Sequence, residues 1–189
     1  MVLTADQQIE VLALVVSLEA LEAPHLLLLV CKDWRLDVAK VMPTLTARRD
    51  LSWTAVTSAL HKFPKAKHLS FSDQREEALI TELVKGRELH TLRLSFCTGV
   101  TDVSALAGCA SLHTLNLSSC RRVTDVSALA GCASLHTLVL SYCYGVTDVS
   151  ALAGCASLHT LHLDGCSSVT DVSALVACAS LRTLTRIST

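Results

Sequence analysis

Cysteine, histidine and aspartate recur in this chain at a fixed interval. Cys97, Cys120, Cys143 and Cys166 form one series, and Cys109, Cys132, Cys155 and Cys178 a second. His90, His113, His136 and His159 make a third, and Asp102, Asp125, Asp148 and Asp171 a fourth. Thiolates and imidazoles ligate zinc when their side chains converge, commonly as C-x-x-C pairs. Here successive cysteines alternate between opposite ends of a repeating stretch. Neighbours within one series would stand about 4.8 Å apart if each lies on a strand, so spacing alone leaves zinc and disulfides open. The simpler reading is a small buried thiol that packs and donates a weak hydrogen bond. A row of imidazoles could take a metal or respond to pH, but no acid or cysteine is repeated beside them at strand spacing. If all four titrate together, mutual repulsion should depress their pKa values. The aspartates could hold calcium only with further oxygen ligands from each turn. As helix caps they would satisfy free backbone N–H groups. No phosphate-binding glycine loop and no unique Ser/His/Asp or Cys/His set stands out. The chain therefore reads as a non-enzyme, with no catalytic residue, no metal and no cofactor assigned.

The interval has a cause. LHTLNLSSCRRVTDVSALAGCAS, residues 112–134, is followed by LHTLVLSYCYGVTDVSALAGCAS, residues 135–157. Units of the same length cover 89–111 and 158–180, a worn one covers 66–88, and a truncated one begins at 181. In the worn unit, Leu69, Phe71 and Leu83 stand where the next has Leu92, Leu94 and Leu106. Each unit opens L-x-x-L-x-L-x-x-C, and the Leu92/Leu94 alternation marks a short strand with one buried face. A turn follows at the cysteine. In V-T-D-V-S-A-L-A-G-C, Thr101 or Asp102 is placed to cap a short helical turn, with Val103, Leu106 and Cys109 on its apolar side and Gly108 near its end. One such unit cannot bury its leucines, but a stack can.

Over residues 66–189 this pattern resembles the leucine-rich repeat family. Cysteine at the ninth position followed by V-T-D is similar to the cysteine-containing subclass. The 23-residue unit with V-T-D-V-S-A-L is similar to the short bacterial adhesin-type repeats. The resemblance implies an α/β solenoid, with short parallel strands on a concave side and short helical turns on the convex side.

Residues that are not repeated carry the information about binding. They fall at the mid-strand slot (Arg93, Asn116, Val139, His162) and beside the cysteine (Phe96, Ser119, Tyr142, Gly165). They continue just past it (Thr98-Gly99, Arg121-Arg122, Tyr144-Gly145, Ser167-Ser168). Strand alternation points the mid-strand slots to the concave face, and the others rim it. Arg, Tyr, Phe and His with Asp164 on one surface suit protein recognition; drift at unconstrained slots is the alternative. The target-binding set expected is Arg93, Phe96, Asn116, Arg121, Arg122, Val139, Tyr142, Tyr144, His162 and Asp164. Replacing Arg93, Tyr142 or His162 by alanine should weaken target binding and leave the fold intact.

The first 60 residues differ. EVLALVVSLEALE and HLLLLVCKDWRLDVAKVM read as helices broken at Pro24, with 51–60 a third, so residues 5–60 form a helical block that would cap the first repeat. This block resembles the F-box motif through Glu10-Val11-Leu12, Ser17, the apolar run 26–29 and Val30-Cys31-Lys32-Asp33-Trp34-Arg35; the family's opening Leu-Pro falls on Gln7-Gln8. The resemblance implies docking on a Skp-type adaptor of a cullin ubiquitin ligase through Val11, Leu12, Leu26, Leu29, Val30 and Trp34. The repeats would then hold the ligase's substrate.

Composition narrows the classes. The chain has 189 residues, 51% of them hydrophobic and 17% charged, so it is not a disordered tail. Aromatics are only 4%, which favours many small regular layers. A formal net charge of -1 gives no case for nucleic acid or an anionic membrane. No basic n-region precedes the N-terminal apolar run, and Glu19, Glu22, Pro24 and His25 interrupt the stretch from Val11 to Cys31. Neither a signal peptide nor a membrane span is expected. The nine cysteines then read as reduced thiols of a cytoplasmic or nuclear protein. Three functions fit: a ligase substrate-recognition subunit, a repeat scaffold with no ligase role, and an adhesin-like host-interaction protein.

Overall fold

The computed structural model describes Thr44–Ala47, residues 57, 60 and 61, and residues 64–186 apart from 74, 76 and 78. The strands are β1 (Thr44–Ala47), β2 (His68–Ser72), β3 (Thr91–Ser95), β4 (Thr114–Asn116), β5 (Thr137–Val139), β6 (Thr160–His162) and β7 (Thr183–Thr185). They form one parallel sheet in chain order, without crossovers. The register repeats the unit: Leu69 pairs with Leu92, Leu92 with Leu115, Leu115 with Leu138, and Leu138 with Leu161. The ladder runs beyond the short strands, because the Leu117, Leu140 and Leu163 N–H groups donate to the Val139, His162 and Thr185 carbonyls.

The return path of each unit is a 3-10 turn: η1 (Ser104–Gly108), η2 (Ser127–Gly131), η3 (Ser150–Gly154) and η4 (Ser173–Ala177). Apolar Val103, Leu106 and Cys109 sit at a spacing of three, which matches the 3-10 period of three residues per turn. The worn unit uses α1 (Leu79–Val84) instead, with Leu79, Ile80 and Leu83 buried. Between sheet and turns runs a continuous core of repeated positions. Leu115, Leu117, Val123, Leu129 and both cysteines of that unit are fully buried, and so are their counterparts at 138, 140, 146 and 152. Each layer covers its neighbour, and the resulting burial of leucine is worth roughly 1.5–3 kcal/mol per side chain. Toward the C-terminal end of the described residues, Leu184 is 41% exposed and Val176 89%.

The expected solenoid is present, but the sheet starts earlier than expected. The segment 44–47 was assigned above to the helical block, yet it pairs in parallel with β2, Thr44 against His68 and Ala47 against Phe71. Thr-Leu-Thr has the strand-forming alternation of the later units, and a neighbouring strand edge is available to pair with it. Thr57, Leu60 and His61 are helical, as the expected third helix requires. Arg87 ties this region to the repeats: its guanidinium donates to the Leu60 carbonyl at 2.8 Å and to Glu82 at 3.0 Å. The other two expected helices, and the adaptor residues Val11, Leu12, Leu26, Leu29, Val30 and Trp34, lie outside the described residues. Among the described residues no helix is long and apolar enough to cross a membrane.

Candidate functional site: the outer sheet face and its rim

The mid-strand slots stand in one row. Ser70, Arg93, Asn116, Val139, His162 and Thr185 are consecutive Cα partners across β2 to β7. Their neighbours in sequence are buried leucines, so alternation holds these side chains on the outer face. Arg93 is exposed and the next three are half-buried. Asn116 is partly committed: its Oδ1 accepts the Ser118 N–H at 2.8 Å.

At the C-terminal end of the row, three side chains form a chain of hydrogen bonds. The Thr185 hydroxyl donates to Asp164 Oδ2 at 2.6 Å, and His162 Nδ1 lies 2.8 Å from the same hydroxyl oxygen. A hydroxyl has one proton, and here the carboxylate takes it. The hydroxyl oxygen is then left to accept from His162 Nδ1–H, so Nδ1 carries a proton in this arrangement. Thr185 is absent from the residues expected above. Extending the mid-strand row into the truncated unit would have found it.

The rim is built by a backbone feature. Asp73, Phe96, Ser119 and Tyr142 have φ of 58°, 59°, 62° and 61°, and Gly165 continues the series at 70°. Each of the first four sends its N–H across to the next unit, Phe96 to the Ser118 carbonyl and Tyr142 to Asp164 at 2.7 Å. Left-handed backbone suits glycine, and for a bulky residue it is uncommon. Even so, this column carries Phe96, 55% exposed, and Tyr142, 43% exposed. Ser119 between them is buried. The Tyr142 ring lies over Gly165, where an added Cβ would come within 2.5 Å of it. The adjacent column carries Arg121 and Tyr144, with the guanidinium 5.5 Å from the ring centroid. Tyr144 meets Tyr142 edge-on, centroids 6.4 Å apart. Arg122 pairs with Glu77 at 3.5 Å.

The other series resolve as structural devices. The thiols of Cys120, Cys143 and Cys166 donate to the Leu94, Leu117 and Leu140 carbonyls at 2.8, 3.0 and 2.9 Å. Cys132, Cys155 and Cys178 do the same toward Leu106, Leu129 and Leu152 at 3.2, 3.3 and 3.2 Å. Burial pushes the Cys143 thiol up to about 12, with Cys166 adding to it, so these groups stay protonated. All eight described cysteines are free thiols. Among the described residues no group of three or more His, Cys, Asp or Glu is arranged to hold a metal ion.

Asp102 Oδ1 accepts the Ser104 N–H at 2.7 Å, and Asp125, Asp148 and Asp171 repeat the contact at 2.7, 2.7 and 2.8 Å. The acceptor for the first N–H of each turn is thus the aspartate, one residue before the valine at the N-cap position. These hydrogen bonds to the charged form hold the four carboxyls below their usual pKa. The imidazoles of His113, His136 and His159 stack, with centroids 4.7 and 4.0 Å apart. Desolvation lowers the His136 pKa first, and repulsion from His159 and His113 adds to it.

One parallel strand per unit, a short turn behind it and a shared leucine–cysteine–valine core define a leucine-rich-repeat solenoid. The same conclusion comes from comparison: the family of leucine-rich repeats, two copies, matches residues 87–131. No curated protein sequence matches the chain. Among solved structures, an internalin (InlF) from Listeria monocytogenes is 19% identical over 78% of this chain and 48% of its own, with a TM-score of 0.51. Internalin C2 of the same organism is 20% identical over 78% of this chain and 82% of its own, with a TM-score of 0.41. The likeness to the first is one of fold, and this chain spans about half of its length. The chain therefore has the fold of a leucine-rich-repeat solenoid, and the family match itself lies within residues 87–131.

Proposed function

We propose that this protein recognises another protein through the outer sheet face and the rim at the strand ends. One observation carries the reading. In units otherwise nearly identical, the residues that differ collect on one surface: Arg93, Asn116, Val139 and His162 in register, and Phe96, Tyr142, Arg121 and Tyr144 beside them. Exposed aromatic and arginine side chains are those that dominate protein interfaces. Replacing Arg93, Tyr142 and His162 by alanine tests this. Loss of binding to a target with unchanged circular dichroism supports it, and retained binding removes it.

We further propose that the target is the substrate of an F-box-type ubiquitin ligase, in the cytoplasm or nucleus, and that the N-terminal block docks on a Skp-type adaptor. The support is the order of an F-box-like stretch before leucine-rich repeats, with Val30 to Arg35 the closest match. Co-purification of the full chain with such an adaptor tests it, with Trp34→Ala and Val30→Asp as controls. A one-to-one complex lost in both variants supports the ligase reading; no complex from a folded chain leaves a repeat scaffold. An adhesin-like host-interaction role is a second reading. It is favoured by the short 23-residue unit, of the bacterial adhesin type.

A further inference from the structure

The rim shows two costs that a purely structural column would not carry. Phe96 and Tyr142 occupy left-handed backbone, at φ 59° and 61°, where the fourth unit has glycine. Both also expose large rings to water, and Tyr144 is 42% exposed beside them. Strained, exposed aromatics of this kind mark places where the side chain itself is used. The rings are also held in place, Tyr142 against Gly165 and Tyr144 between Tyr142 and the Arg121 guanidinium.

Their spacing selects a partner. Phe96 and Tyr142 hold the same slot two units apart, which at one strand spacing per unit is about 9.6 Å along the solenoid. A polyproline II segment rises about 3.1 Å per residue with three residues per turn, so positions i and i+3 lie on one side about 9.3 Å apart. An extended β-strand returns to the same side every two residues, at about 6.8 Å or about 13.6 Å, and neither distance matches the spacing of Phe96 and Tyr142. Flat proline rings on aromatic side chains are the usual mode of recognising this conformation. Charge adds the second constraint. Arg93 lies in the unit of Phe96 and Arg121 and Arg122 in the next, between the two rings, and among the described residues only Arg122 of the three has an ion pair, with Glu77.

We propose that the ledge of Phe96, Tyr142, Tyr144 and Arg121 docks an acidic segment in the polyproline II conformation, with one proline over Phe96 and one, three residues away, over Tyr142. The proposal rests on the protein-recognition reading above and names the partner's chemistry.

The test uses the full chain and fluorescein-labelled twelve-residue peptides followed by anisotropy. One peptide carries prolines three apart with glutamates on both flanks; others space the prolines two or five apart, replace the glutamates by lysines, or form an amphipathic helix. The acidic peptide with prolines three apart is expected to bind at least tenfold more tightly than the others. Phe96→Gly and Tyr142→Gly should each lower its affinity tenfold or more, and both suit the backbone they replace. Equal binding of all spacings, tighter binding of the lysine or helical peptide, unchanged binding by the glycine variants, or no binding would each overturn the proposal. A random-peptide selection on the same chain separates this failure from failure of the broader reading. Selected peptides that depend on Arg93 and His162 but not on the rings would retain protein recognition and discard the ledge. No selectable peptide would count against both.

Discussion

At Phe96 the usual order of alanine and glycine should invert. In regular structure glycine is less stable than alanine by about 0.5–1 kcal/mol, because it loses more backbone freedom on folding. At φ 59° the Cβ itself is the problem, and left-handed backbone costs a residue with a Cβ roughly 1–2 kcal/mol. Both Phe96→Ala and Phe96→Gly lose the ring, of which a little under half is shielded. Roughly 100 Å² of apolar area at about 25 cal/mol per Å² bounds that loss at about 2.5 kcal/mol, and the partly collapsed unfolded chain brings it nearer about 2 kcal/mol. Phe96→Ala should therefore cost about 2 kcal/mol, and Phe96→Gly about 1 kcal/mol less than that. Urea denaturation followed by far-UV circular dichroism reads the difference, provided the slopes of the three proteins agree. In a chain of this size it corresponds to about 2–4 °C in Tm. Ala107, exposed in η1, is the control, and Ala107→Gly should follow the ordinary order. If the alanine variant at Phe96 equals or exceeds the glycine variant, the left-handed column does not exist as described.

Neighbouring units give a second contrast. An added Cβ at Gly131 would come within 2.4 Å of the Ala107 carbonyl oxygen, whereas at Gly108 nothing lies within 4 Å. Gly131→Ala should cost about 1–3 kcal/mol, and Gly108→Ala should be neutral or stabilising by up to about 1 kcal/mol, both read from denaturation midpoints. Cys143, buried and hydrogen-bonded to Leu117, should resist a thiol reagent at pH 8 until the chain unfolds, while half-buried Cys109 labels earlier; mass-spectrometric mapping of modified sites decides this, and early labelling of Cys143 would contradict the packing. The His136 imidazole has a folded pKa below its unfolded value, so in the window between the two the unfolded chain binds more protons. Its contribution is intact above about pH 6.5 and is lost as pH falls through that window. His136→Gln should reduce the stability lost between pH 7.5 and 5.5, and an unchanged loss would remove the stack as its source.

The fold was legible because the unit is spelled out several times. Leu92 and Leu94 alternate as a strand must, and Leu106 falls three residues after Val103, so any chain that buries these side chains must stack the units in order. The left-handed column was not legible at Phe96 or Tyr142. Gly165 has the residue type that announces such a backbone and Asp73 one that tolerates it, but aromatics there contradict the local preference. The strand at Thr44–Ala47 was missed for a related reason: a single worn unit lacks neighbours in the sequence that would expose its period, and only pairing with β2 defines it.

The sequence by itself determined the period, the core and the list of residues free to differ, since each follows from which side chains must be hidden from water. The tertiary structure decided how those free residues meet. Residues 23 apart become neighbours one strand spacing away, which sets Arg121 on Tyr144, Tyr142 on Gly165, and Thr185 between His162 and Asp164. The hydrogen-bond chain through His162 and the spacing of the two strained rings exist only once the layers are in register. Hydrogen bonds and ring contacts act over a few ångströms, and the backbone brings these groups that close only by stacking.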